Sequence, residues 1–163
     1  MKIFDKHSIS LSETGIFDEL ILDYLKNDEK AKEFAAFTPD LAGLLANIES
    51  RKNVPINRSV LVESLTKQYN NMTDAPNFET VIRNINALKD EKTFTICTGH
   101  QLNIFTGPLY TVFKIISTIR TAEMLEAKTG KKIVPVFWLA SEDHDMEEIN
   151  HIYIYGQRYE WKS

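Results

Sequence analysis

A chain of 163 residues, 43% apolar and 26% charged, has the length of about one domain and an ordinary globular composition, which excludes wholesale disorder. A net charge of −4 with mixed signs argues against a nucleic-acid surface, whose footprint is a basic stripe. The single cysteine, Cys97, excludes a disulfide framework and a multi-cysteine metal site and fits a reducing cytoplasm. The opening stretch MKIFDKHSIS has no apolar core of signal-peptide length. No segment approaches the roughly 20 apolar residues that span a bilayer. The expectation is a soluble cytoplasmic protein with neither nucleic acid nor membrane as partner.

There is no internal repeat or low-complexity segment. The first ninety residues read as short amphipathic helices. Ile16, Leu20, Ile21, Tyr24 and Leu25 share one helical face. Asp40 is placed to cap a helix striped by Leu41, Leu44, Leu45 and Ile48. VPINR breaks the chain, because Pro55 keeps Val54 from helical angles. Leu61, Leu65 and Tyr69 mark a third helix, and Phe78, Val81, Ile82, Ile85 and Leu88 a fourth. These stripes read as core packing, and nothing in residues 1–90 looks chemical.

The period then changes. Thr93–Thr98, TFTICT, is short and β-branched and reads as a strand, with Cys97 in it as a small buried hydrophobe. LYTVFKIISTIRTAEMLEAKTG reads as a long helix that buries Val112, Ile115, Ile116, Ile119, Ala122, Met124 and Leu125 and stops at Gly130. KIVPVFWLA, Lys132–Ala140, is a continuous apolar run, the mark of a strand covered on both faces. Strand, helix and strand make a βαβ unit with a right-handed crossover. The tail NHIYIYGQRYEWKS reads as a hairpin turning near Gly156–Gln157.

The fold class is therefore α/β: a helical region over residues 1–90, on or beside the first βαβ part of a Rossmann-like core over residues 91–163. A doubly wound sheet normally needs about five strands, and only two parallel ones are legible. The apolar run IVPVFWL then has an open edge that invites pairing. The sequence looks like the front part of something larger, or like a chain that covers its edge by association with a second copy.

In a βαβ unit, ligands sit beyond the carboxyl ends of the strands. TGHQLNIFTGPLY occupies that position. Gly99 allows a tight turn or close approach to a ligand, and Thr98, His100, Gln101 and Asn103 offer polar groups. Thr106 is placed to cap the following helix, with Gly107 and Pro108 opening it. Free amides there can hold an anion, and Lys114, about one turn in, can reach it. The stretch matches neither the phosphate-loop nor the dinucleotide fingerprint. By spacing, it is either an anion or nucleotide site or an ordinary helix start.

A second cluster, SEDHDMEEINH, follows the buried strand. Glu142, Asp143, His144 and Asp145 together are costly unless solvent, ligand or mutual pairing compensates them. Three readings stand side by side. One is acid–base chemistry at His144 with an orienting carboxylate. Another is a metal site using His144, Asp143 or Asp145, and His151. The third is a solvated acidic loop capping a helix at EEIN.

Together, TGHQLNIFTGPLYTVFKI and PVFWLASEDHDMEEINHIYIY resemble the bacillithiol-biosynthesis cysteine-adding enzyme family, over roughly residues 93–155. His100 stands where the family pattern has glutamine. The resemblance implies a Rossmann-like core related to nucleotidyl-transferase folds, and a ligase joining L-cysteine to glucosaminyl-malate. Because a free carboxylate needs activation, ATP is the implied cofactor. Carried over, Thr98, Gly99, His100, Gln101, Thr106, Gly107 and Tyr110 would bind the cofactor, with no metal assigned. Lys114, Asp143 and His144 would be catalytic, and Glu142, Asp145, Asn150 and His151 would contact substrate. The family's members are several times longer, so an N-terminal piece, inactive alone, is expected. The contrasting expectation is a small non-catalytic nucleotide- or anion-binding module that self-associates.

Overall fold

The computed structural model describes residues 7–142 and 145–162. The chain divides into two compact units, Met1–Val54 and Pro55–Ser163, so the break falls inside the VPINR segment.

In the first unit, short polar side chains set the helix starts. Ser10 and Glu13 form a reciprocal capping box around the turn Leu11–Thr14. Helix α1 (Glu19–Lys26) ends at Asn27, which takes the left-handed conformation with φ 60°. Its apolar stripe stays open to solvent, with Leu20, Ile21 and Leu25 all exposed, contrary to the core reading. Asp40 caps α2 (Leu41–Arg51) as its position suggested: its carboxylate accepts from the Gly43 amide at 2.8 Å and from the Thr38 hydroxyl at 2.7 Å. These two bonds hold the Asp40 carboxyl below its ordinary range, the backbone one foremost. Ile48 turns inward from α2.

The second unit opens with α3 (Arg58–Tyr69), capped by the Asn57 side chain on the Val60 amide at 3.2 Å. Helix α4 (Phe78–Ala87) follows. Its Ile85, with Val62 of α3, Leu88 and Val134, forms the dry centre against which Leu65, Tyr69, Val81, Ile82 and Val136 pack. On α3 the buried residue is Val62, while Leu61, expected inside, is exposed. Arg58 fixes the link between α4 and the sheet: its guanidinium donates to the carbonyls of Leu88 at 2.9 Å and Thr93 at 3.1 Å.

Strands β1 (Phe94–Gln101) and β2 (Ile133–Ala140) pair in parallel, from Phe94 opposite Ile133 to Gln101 opposite Ala140. They are joined by α5 (Leu109–Thr129), which packs along both. This is the expected βαβ unit, within a Rossmann-like α/β fold. Alternation turns Val134 and Val136 toward α3 and α4 and Ile133, 1% exposed, to the other face. Gly130 ends α5 with φ 65°, as its position indicated. One helical turn before that glycine, the Glu126 carboxylate receives the Ile133 amide at 3.0 Å and the Lys132 ammonium at 2.7 Å.

Three expectations are corrected here. Coverage of β2 is double only at its start, since Trp138 and Leu139 are 61% and 50% exposed. Helix α5 buries Thr111, Thr118, Ala122 and Leu125, leaving Ile116, Ile119 and Met124 exposed, because the face turned to the sheet carries threonines as well as apolar residues. Cys97 is exposed, because α3 and α4 cover β2 and leave the same face of β1 open.

The chain continues through α6 (Met146–Ile149) into a hairpin of β3 (His151–Ile154) and β4 (Gln157–Glu160). Its turn is centred on Tyr155 and Gly156, φ 50° and 79°, one residue earlier than the sequence suggested. Two positive φ values in succession suit the right-handed twist of a hairpin. The hairpin strands form a separate sheet from β1–β2.

Candidate functional site at the β1–α5 corner

Strand β1 runs three residues further than TFTICT indicated, so Gly99, His100 and Gln101 belong to the ladder and not to the loop. Gly99 sits opposite Trp138, and a Cβ there would lie 2.7 Å from the Trp138 carbonyl oxygen. Its role is therefore close strand packing, since the backbone of β2 fills the space in which a ligand was expected. Thr98 stays in the body of the strand opposite Phe137.

The loop tightens into a 3₁₀ turn, Ile104–Thr106. Thr106 does not cap α5. It has φ 70°, and the N-cap position falls to Pro108, which makes no side-chain cap bond. Gly107 follows with φ 70° and ψ −165°, a conformation open essentially only to glycine. The Thr111 amide turns back to the Pro108 carbonyl at 2.8 Å, and among the described residues no side chain caps the helix start. The Thr111 hydroxyl, 6% exposed as a residue, has no hydrogen-bond partner among the described residues.

Around this start the side chains converge. The Lys114 ammonium donates to the Gly99 carbonyl and lies 4.9 Å from the centre of the Tyr110 ring. His100 meets the same ring edge-on, with centroids 5.7 Å apart. Asn103 donates from Nδ2 to the Gln101 carbonyl at 3.0 Å and lies 2.8 Å from His100 Nδ1. The structure thus brings together Gly99, His100, Tyr110 and Lys114 of the expected set. Asn103, named from the sequence among the loop's polar groups, joins the cluster, and Thr111 adds a buried hydroxyl at the helix start that nothing in the sequence singled out.

Of the acidic cluster, Asp143 and His144 lie outside the described residues. Glu142 is exposed at the end of β2. Asp145 caps α6, accepting from the Glu147 amide at 3.0 Å, which fits the helix-capping reading of the cluster. Asn150, 7% exposed, ties the hairpin to α6: its amide donates to the Met146 carbonyl at 3.0 Å, and its own carbonyl accepts from Trp161 at 2.7 Å. His151 packs edge-on against Tyr153 at 5.6 Å. Strand β3 lies against the Ile104–Thr106 turn, which brings His151 and Asn150 to the same end of the unit as the corner. Among the described residues, no three metal-ligating side chains cluster, and no helix is long and apolar enough to cross a membrane.

The described cluster holds one fixed cation beside a helix start without a side-chain cap, a setting that suits an anionic oxygen. Residues 4–163 match the family model described as bacillithiol biosynthesis BshC, N-terminal Rossmann-like domain. A relative from Cytophaga hutchinsonii, named "Putative cysteine ligase BshC", is 46% identical over 100% of this chain and 31% of its own length. Relatives of the same name from Flavobacterium psychrophilum and Bacillus cytotoxicus are 42% and 41% identical, over 95% and 81% of this chain and 29% and 24% of their own. The chain thus spans less than a third of the length of these relatives. With the parallel βαβ unit and the matched region agreeing along nearly all of its residues, the chain belongs to the bacillithiol biosynthesis BshC family, as its N-terminal Rossmann-like domain.

Proposed function

We propose that this domain is the anion-holding part of a cytoplasmic ligase that joins L-cysteine to glucosaminyl-malate, and that it is inactive alone. The observation that carries the reading is Lys114, whose ammonium is anchored by the Gly99 carbonyl and the Tyr110 ring beside the start of α5, where no side chain among the described residues caps the helix. Joining L-cysteine to glucosaminyl-malate through an amide forms a C–N bond between an amine and a carboxylate and must expel one carboxylate oxygen. At neutral pH that oxygen leaves readily only after phosphoryl or adenylyl transfer, for which ATP is the proposed co-substrate. The chain's own residues would hold the anionic oxygens of ATP or of the carboxylate, with Lys114 and the α5 amides opposing their charge. Asp143 and His144 are the proposed acid–base pair, with Glu142 and His151 toward the substrate. Asp145 and Asn150 contribute chiefly by fixing the chain between β2 and the hairpin.

The test uses the protein extended to the length of its relatives, supplied with L-cysteine, glucosaminyl-malate and ATP. Product detected by mass spectrometry, and lost in Lys114→Ala without loss of fold, is the expected result. A folded, substrate-saturated, full-length protein that makes no product overturns the ligase reading. The rival, a self-associating binding module, draws on the open edges that both strands of the β1–β2 sheet have among the described residues. It predicts a 163-residue chain that binds phosphate as a dimer and gains no activity on extension.

A further inference from the structure

We infer that Asn103 is a positioning residue that locks His100 into the tautomer with its proton on Nε2, so that the imidazole meets a ligand at the β1–α5 corner as a hydrogen-bond donor. The ligand part of this inference rests on the anion reading above; the lock itself rests on the unliganded geometry alone.

The Asn103 carboxamide nitrogen is 3.0 Å from the Gln101 carbonyl oxygen and 2.8 Å from His100 Nδ1. An amide nitrogen only donates, and it has two hydrogens, one for each neighbour. Turning the amide over would set its oxygen 3.0 Å from the Gln101 oxygen, two acceptors face to face, so the orientation is settled by the network. With an amide hydrogen aimed at it, Nδ1 must present its lone pair, and the neutral ring then carries its hydrogen on Nε2. The alternative tautomer has an acceptor within reach, since the Gln101 oxygen is 3.2 Å from Nδ1. That choice would point an Nδ1 hydrogen at the Asn103 nitrogen, hydrogen against hydrogen. The lock wins because Asn103 satisfies both neighbours at once.

The backbone makes room for this arrangement. A Cβ on residue 107 would come within 2.9 Å of the Asn103 Cβ and Cγ, so Gly107 is what lets the carboxamide sit where it does. On its far side the His100 ring is steadied edge-on by Tyr110, the same ring that carries the Lys114 ammonium. Nε2 has no hydrogen-bond partner among the described residues. An Nε2 hydrogen and an ammonium against one tyrosine ring are both donors, and what they share is an affinity for anionic oxygen, phosphate or carboxylate. In the other tautomer, Nε2 would offer that ligand a lone pair and repel it.

The experiment is a long-range proton–nitrogen correlation spectrum of the histidine-labelled protein, without ligand, at mildly alkaline pH. The expected result is a protonated Nε2 and an unprotonated Nδ1 for His100, a mixture of tautomers in Asn103→Ala, and inversion in Asn103→Asp, whose carboxylate accepts from Nδ1. A wild-type His100 protonated on Nδ1, or a spectrum unchanged in Asn103→Ala, overturns the lock. Titrations with inorganic phosphate and with malate then separate the two sources of anionic oxygen. Asn103→Ala should weaken whichever binds in proportion to the His100 fraction that leaves the Nε2 tautomer, about twofold for an even mixture, and Asn103→Asp should weaken it further. Equal affinities in wild type and variant overturn the role in ligand orientation. A locked tautomer in a protein that binds neither anion removes the anion reading of the corner and leaves the lock standing.

Discussion

The two ends of the β1–β2 sheet are made from the same two strands and are built in opposite ways. At the amino end, Ile133 and Val134 are buried, Arg58 binds the carbonyls leading into β1, and Glu126 binds the first amide of β2. At the carboxyl end, Trp138 and Leu139 are exposed, the helix after β1 has no side-chain cap among the described residues, and a lysine, a histidine and a tyrosine gather at its start. Apolar burial is concentrated at the amino end, and exposed aromatic and polar side chains at the carboxyl end. A parallel sheet makes this division natural, because the helix dipole and the connecting loops meet beyond the carboxyl ends of the strands.

Substitutions at the two ends should break that comparison unequally. Both tryptophans, Trp138 and Trp161, lie in the second unit, so their fluorescence in a urea titration reports on that unit alone. Ile133→Ala should cost about 3 kcal/mol, by lost transfer energy and the cavity left behind. Trp138→Ala, at the exposed end, should cost less than about 1 kcal/mol by the same measurement. Equal losses would mean that the exposed end carries as much of the stability as the dry one.

Next in size come Gly107 and Arg58. Gly107→Ala forces a glycine-only conformation onto a residue with a Cβ and should cost about 2 kcal/mol. It should also release the Asn103 carboxamide, which the histidine spectrum would show directly. Arg58→Ala removes the donor to two carbonyls at the sheet's amino end and should cost about 2 kcal/mol, with Lys at this position restoring only part because it lacks the planar fork.

The smallest effect is electrostatic and belongs to Glu126. The Lys132 ammonium, and after it the Ile133 amide, hold this carboxyl below the ordinary carboxylate range. A depressed folded-state pKa contributes stability that is complete above the unfolded-state value and is lost as pH falls through the folded-state value. Acid titrations of unfolding should therefore show a shallower acid limb in Glu126→Gln than in wild type. Solvent screening at this partly exposed site keeps the difference small. Identical acid limbs would remove Glu126 from the account of the amino end.

Much of this architecture was legible because it rests on local chemistry. Asp40 as a cap, Gly130 as a helix stop, the break at VPINR and the apolar strand runs each depend on residues within a few positions of one another. The motif pair around His100 and the EDHD segment was enough to point to the family, and the matches with known relatives bear it out. Assignments that depend on neighbours distant in sequence fared worse. Thr106 looked like a cap, yet the turn from Ile104 gives it a left-handed backbone and moves the helix start to Pro108. Cys97 looked buried because its strand is apolar, and exposure followed from which strand α3 and α4 happen to cover.

Residue order alone settled the βαβ pattern and the helix ends at Asp40 and Gly130, because periodicity, capping and glycine conformations act over a few residues. Tertiary packing alone decided which face of α5 meets the sheet and why Gly99 must lack a side chain beside Trp138. Those outcomes depend on distances between strands and side chains that only the assembled sheet sets, and no local rule contains them.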